Sequence, residues 1–181
     1  MDLQGYLPLI VVLGVAGFLL GNIFALKPKA GEVRVADFRL LARTYGFNPK
    51  LIPRPDWLPT RVQQHSHHAP KNDLVVSYGV VCDEWRLSFV RLIVKDGKWC
   101  VVDADKGILY DKADGVTLPV EIMSHALGLQ VKANSVVLYW QDVHYQSSRG
   151  VQKLDKKLAQ ADLQTLKQAL LDFGNQLNQR A

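Results

Sequence analysis

Cysteine is scarce in this chain, with only Cys82 and Cys100 among 181 residues. Two thiols cannot build a disulfide framework or a four-thiolate zinc site, and their spacing is not CxxC. The usual catalytic signatures are missing as well: there is no GxSxG elbow, no P-loop, no dinucleotide GxGxxG and no HExxH. Asp103, Asp105 and Asp111 around Gly107 lack the third early ligand and the terminal Glu of an EF-hand loop. Charge is absent over one long stretch, since no Lys, Arg, Asp or Glu occurs from Leu3 to Leu26. That run excludes an ordinary amphipathic surface helix at the N-terminus.

What stands in its place is LPLIVVLGVAGFLLGNIFAL, Leu7 to Leu26. Twenty helical residues rise about 30 Å, the thickness of a bilayer's hydrocarbon core. The sequence therefore predicts a short tail over residues 1–6 and a transmembrane helix over 7–26, with Pro8 tolerated in the first turn. A cleaved signal peptide would want a basic leading segment, whereas the tail carries only Asp2. Lys27 and Lys29 follow the run, which under the positive-inside rule puts the C-terminal domain in the cytoplasm. Gly14, Gly17 and Gly21 lie at spacings of three and four, with Ala25 continuing the line and Asn22 beside it. Such a face allows close helix packing, including self-association, although glycine is common in membrane helices generally.

Residues 27–61 read as a basic juxtamembrane helix and a proline-rich strap. Eight Lys or Arg against Glu32, Asp37 and Asp56 give this segment +5, the formal charge of the whole chain. A basic excess beside a span suits anionic lipid or a partner, and nucleic acid is disfavoured because no stacking or base-reading side chains accompany it. The contact candidates are Lys27, Lys29, Arg34, Arg39, Arg43 and Trp57. Val35, Phe38, Leu41 and Tyr45 repeat at helical spacing within Val33 to Tyr45, and Gly46 is placed to stop that helix. Beyond it, Pro49, Pro53, Pro55 and Pro59 enforce extended backbone around the apolar pair Trp57 and Leu58.

Residues 62–181 read as an α+β domain, an antiparallel sheet with flanking helices. Its first loop holds His65, His67 and His68, the most metal-like cluster in the chain, but without the further ligands a site requires. No cofactor is implied. Leu74 to Cys82, Trp85 to Ile93 and Trp99 to Val102 read as a three-stranded meander turned by Asp96-Gly97, with Arg91 interrupting an apolar face. In that register Cys100 opposes Ile93 and Cys82 opposes Arg86, too far apart to bridge. A short strand at Ile108 to Tyr110 follows, then a helix from Val120 to Leu127 started by Pro119 and stopped by Gly128, then a strand from Ser135 to Tyr145. Leu163, Leu166, Leu170, Phe173 and Leu177 mark a C-terminal amphipathic helix, which Leu154 and Leu158 extend backwards.

The span with Lys27 and Lys29, WRLSFVRL at Trp85 to Leu92, LPVEI at Leu118 to Ile122 and VVLYWQDV at Val136 to Val143 together resemble small single-pass proteobacterial inner-membrane proteins of uncharacterised function. The resemblance implies a bacterial inner membrane and no activity. Two function classes stay open. One is a non-catalytic interaction or assembly component of an envelope complex, with the bilayer and a membrane or envelope protein as partners. The other is a tethered ligand-sensing or enzymatic domain, for which His125, Asp142, His144 and the thiols are the polar candidates; Ser124, His125 and Asp142 could meet in space, as could many triples in any domain. A periplasmic domain behind the same anchor is a third arrangement.

Overall fold

The structure is a computed structural model that describes residues 3–25, 30–59, 74–105, 116–142 and 154–180. Its elements are α1 (Leu3–Ala25), α2 (Ala30–Thr44), β1 (Lys50–Pro53), β2 (Leu74–Val81), β3 (Leu87–Lys95), β4 (Lys98–Ala104), α3 (Val120–Met123), β5 (Ala126–Ala133), β6 (Ser135–Trp140) and α4 (Lys156–Arg180). The six strands form one antiparallel sheet in the order β1-β2-β6-β5-β3-β4. The α+β class expected from the sequence is therefore present.

The expected meander is not. β2 pairs with β1 and β6, while β3 pairs with β4 and β5. The cause is a strand that the sequence conceals. The segment after Pro119 makes only one helical turn, Val120–Met123, and then extends as β5. Leu129 and Val131 point to the core while Gln130 is half-buried and Lys132 exposed, a period of two that the flanking Ala126 and Gly128 obscure. Gly128 is thus a strand residue and not a helix stop. β5 turns tightly into β6, with Lys132 opposite Ser135 and Ala133 at φ 53°, and this hairpin is inserted between β2 and β3. The β3–β4 turn is the expected one, with Asp96 at φ 52° and Gly97 at φ 72°, and Cys100 does oppose Ile93. Cys82 lies beyond the end of β2, its N–H donating to the Asn134 carbonyl at 3.0 Å, so it has no partner on β3; both cysteines are free thiols.

One sheet face lies under α2 and α4. Leu163, Leu166 and Leu170 are fully buried, and Phe173 and Leu177 nearly so, as the period of three and four requires of a helix laid on a sheet. From α2, Val35, Phe38 and Ala42 join the same core, and Gly46 ends that helix at φ 83°. The other face carries a smaller cluster of Leu58, Val75, Leu127 and Tyr139, flanked by Ile52, Trp57, Ile93 and Val137. The proline strap supplies its cover.

α1 is a helix of 23 residues with no charged side chain. From 9 to 22 every residue is exposed, Phe18 at 71 %. Among the described residues no helix is long and apolar enough to cross a membrane. Side chains in α1 are described only over 9–22, about 21 Å of helix. The expected transmembrane assignment gains no support from them.

The C-terminal part of α4 is locked by one residue pair. The indole of Trp85, just before β3, donates from Nε1 to Asn175 Oδ1 at 2.8 Å, and the Arg86 backbone N–H donates to Asn178 Oδ1 at 2.8 Å. Trp85 lies across Gly174, where an added Cβ would come within 2.7 Å of Cζ3 and closer still to Cζ2 and Cη2. Replacing glycine by alanine inside a helix normally stabilises by about 1 kcal/mol. Here the buried ring must move, at about 1–3 kcal/mol of overpacking plus the strained indole bond. Gly174→Ala is expected to lower the thermal midpoint by several degrees in micelles, followed by tryptophan fluorescence; a raised midpoint would show that the ring yields freely.

Candidate functional site

Two polar clusters stand out, one on each face of the sheet. On the helix-covered face, Asp142 follows β6 by two residues and is 3 % exposed. Arg39 of α2 meets it in a two-pronged pair, Nε to Oδ2 at 2.6 Å and Nη2 to Oδ1 at 2.9 Å. That hydrogen bond holds the Arg39 pKa above its ordinary value against the opposing effect of burial. Close by, Tyr78 of β2 is fully buried with its ring against Phe38, Phe47 and Trp140 at centroid distances of 6.2, 5.6 and 5.4 Å. Its hydroxyl has no hydrogen-bond partner. Burial pushes the Tyr78 pKa far up, with the Asp142 charge adding to the effect and Arg39 opposing it.

On the outer face, strand register lines up Asp103 of β4, Arg91 of β3, Gln130 of β5 and Val137 of β6 as one cross-strand row. Arg91 stacks on aromatic rings, its Cζ 4.8 Å from the Phe89 centroid and 5.4 Å from that of Trp57. Trp57 is held in turn by an edge-on contact with Tyr139 at 5.3 Å, and the Tyr139 hydroxyl donates to Gln130 Oε1 at 3.4 Å. The strap can lie this close because Gly128 has no side chain: a Cβ there would sit 2.8 Å from the Leu92 carbonyl and 2.9 Å from Trp57 Cζ3. Burial raises the Tyr139 pKa, and the Arg91 charge opposes the rise. Among the described residues Arg91 reaches one carboxylate, Nη1 to Asp103 Oδ2 at 3.4 Å, and its buried Nε finds no acceptor.

The candidates read from the sequence are scattered by the fold. Gly14, Gly17, Gly21 and Asn22 lie on the exposed stretch of α1, with open space around each glycine. Arg34 is buried and engaged within the domain, Arg39 is committed to Asp142, and Arg43 is exposed near the end of α2. Trp57 is half-buried over the outer face. Lys27, Lys29, His65, His67, His68, His144 and the expected strand at Ile108 to Tyr110 lie outside the described residues. Among the described residues no group of three or more potential metal ligands assembles. Both Asp142 oxygens accept hydrogen bonds from Arg39. A shallow groove of about 560 Å³ between the end of α2 and α4 is lined by Tyr45, Gln164, Thr165, Lys167, Gln168 and Leu171. Its lining has a single charged side chain, which gives no acid–base pair.

Arg91 is the residue to which the sequence assigned no role. Its signal was present as a charge where the alternation calls for an apolar side chain, but its neighbours come from distant positions. Comparison with protein families, with curated proteins and with solved structures finds no match.

The buried hydroxyl of Tyr78 has a measurable consequence. Since its folded pKa is raised, the unfolded chain loses that proton first, near pH 10 where an exposed tyrosine ionises. Stability from this residue is complete below pH 10 and declines as the pH rises above it. Tyr78→Phe removes an unpaired buried group and is expected to leave stability at neutral pH unchanged or higher by about 1 kcal/mol, with a smaller alkaline loss. Denaturant unfolding at pH 7.5 and pH 11 decides it; a large loss for the phenylalanine variant at pH 7.5 would mean that the hydroxyl is bonded after all.

Proposed function

We propose that this protein is a membrane-anchored, non-catalytic interaction or assembly component of a bacterial envelope complex. The observation that carries the reading is α1, an uncharged helix exposed on every side from 9 to 22. A helix apolar all round is stable only when something apolar surrounds it, and the domain does not. Its helical backbone runs from Leu3 to Ala25, about 34 Å, without a charged side chain. In this reading the bilayer is the first partner, the glycine side of α1 offers a packing face for a second helix, and the domain lies on the cytoplasmic side of an inner membrane. The polar groups favour contact over catalysis: Asp142 is neutralised by Arg39, while the half-buried Trp57 and Arg91 are residue types that anchor protein interfaces.

The test is made in membranes of a bacterial host. The full chain is expected to resist carbonate extraction, and Leu13→Glu combined with Phe18→Glu to release it, since each charge near the bilayer centre costs about 2–4 kcal/mol. C-terminal fusions should fluoresce as a fluorescent protein and be inactive as alkaline phosphatase. Extraction of the unmodified chain by carbonate would end the anchored reading, and an active phosphatase fusion would reverse the orientation.

A further inference from the structure

Arg91 is held in place without being satisfied. Rings of Phe89 and Trp57 fix the guanidinium, so the entropy normally lost when a long side chain binds is already spent by packing. Its one carboxylate contact among the described residues, Asp103 at 3.4 Å, is a single prong, and the Asp103 side chain is 51 % exposed. A pair of that kind is worth little and exchanges readily. Beside the guanidinium stand the Gln130 amide and the Tyr139 hydroxyl, the latter in a long 3.4 Å bond. The Tyr139 hydroxyl is used on Gln130, while the buried Arg91 Nε has no acceptor, so the cluster carries an N–H donor in excess. It lies at the rim of the strap, with the Arg91 side chain 31 % exposed.

We propose that this row is a recognition site for an acidic side chain of a protein partner, with Arg91 receiving the carboxylate in place of Asp103 and Trp57 packing against the partner's adjoining backbone. Asp103 acts as an internal stand-in that occupies the fork weakly when the partner is absent. The inference rests on the reading of the domain as a contact module, and deepens it by naming the group recognised. Charge sign sets the choice of ligand: a cationic partner would meet Arg91 first, and a purely apolar one would leave that donor buried and unpaired.

The experiment titrates the full-length 15N-labelled protein in micelles with a capped peptide holding one glutamate, with its glutamine counterpart, and with acetate. The Trp57 indole N–H, assigned through Trp57→Phe, is the reporter. Saturable shifts are expected with the glutamate peptide and not with the glutamine one. Arg91→Met, which keeps the unbranched stem, should abolish them. Asp103→Asn, which removes the competitor, should tighten binding by about two- to fivefold. A merely structural Arg91 has no reason to give that gain. Equal shifts with both peptides, binding retained in Arg91→Met, or no tightening in Asp103→Asn would each overturn the proposal. Saturation by acetate at the same concentration as the peptide would overturn its protein source. None of these outcomes bears on carbonate extraction or topology, so failure here is separable from failure of the anchor.

Discussion

A sheet with two apolar faces needs two covers, and the rest of this fold follows from how unequally they are supplied. α2 and α4 give one face a continuous layer, with Phe38, Leu163, Leu166 and Leu170 buried completely. The other face is apolar only near its middle, where Val75, Leu127 and Tyr139 gather. A stretch rich in proline is suited to that lesser task. It holds its own extended shape without helix or ladder bonds, and it lowers two apolar side chains, Trp57 and Leu58, onto the patch. Gly128 lets it approach. Through Trp57 the strap reaches Arg91 in the Asp103–Arg91–Gln130 row, so apolar cover and a charged side chain meet there.

The contrast between Arg39 and Arg91 shows how one residue type serves two ends. Their side chains are similarly accessible, at 29 % and 31 %. Their acceptors are not. The Asp142 side chain is 4 % exposed and accepts two bonds, so removing Arg39 would strand a carboxylate in a dry interior. Asp103 is mostly in water and accepts one long contact, so losing it exposes little that solvent cannot repair. The first arrangement is structural and the second is exchangeable. Basic residues that look from their spacing like a lipid-facing set are thus divided: Arg34 and Arg39 serve the domain, and on α2 the exposed Glu32 and Asp37 offset Arg43.

Legibility in the sequence tracked how local each interaction is. α1 was readable as a helix from its long uncharged run, α2 and α4 because side chains three and four apart lie on one face, and the Asp96-Gly97 turn because its left-handed backbone asks for those residues. The pairing of Cys100 with Ile93 follows from that turn alone. Sheet order was not readable. It depends on β5, whose small residues Ala126, Gly128 and Ala133 weaken the strand pattern and mimic a helix ending. The glycine that suggested a stop is required instead by a strap from far upstream. For the site, the sequence marked Trp57 as an apolar anchor and Arg91 as an interruption, and it had no means to bring them within 5.4 Å.

The Arg39–Asp142 pair also bears on how an anchored domain would be held. Only five peptide links join Ala25, the last residue of α1, to Ala30, the first of α2, a reach of at most about 18 Å. With α1 in a bilayer, α2 is then confined near the membrane surface. Because α2 is itself part of the core through Val35, Phe38 and Ala42, and is pinned to the end of β6 by the ion pair, the sheet cannot drift away on a loose tether. A flexible linker would let a domain search a wide volume at low effective concentration. A connection of only four residues would instead keep α2, and the sheet packed on it, close to the bilayer. Such a restriction serves contact with another membrane-held protein, whose own reach is equally limited, better than capture of a freely diffusing ligand.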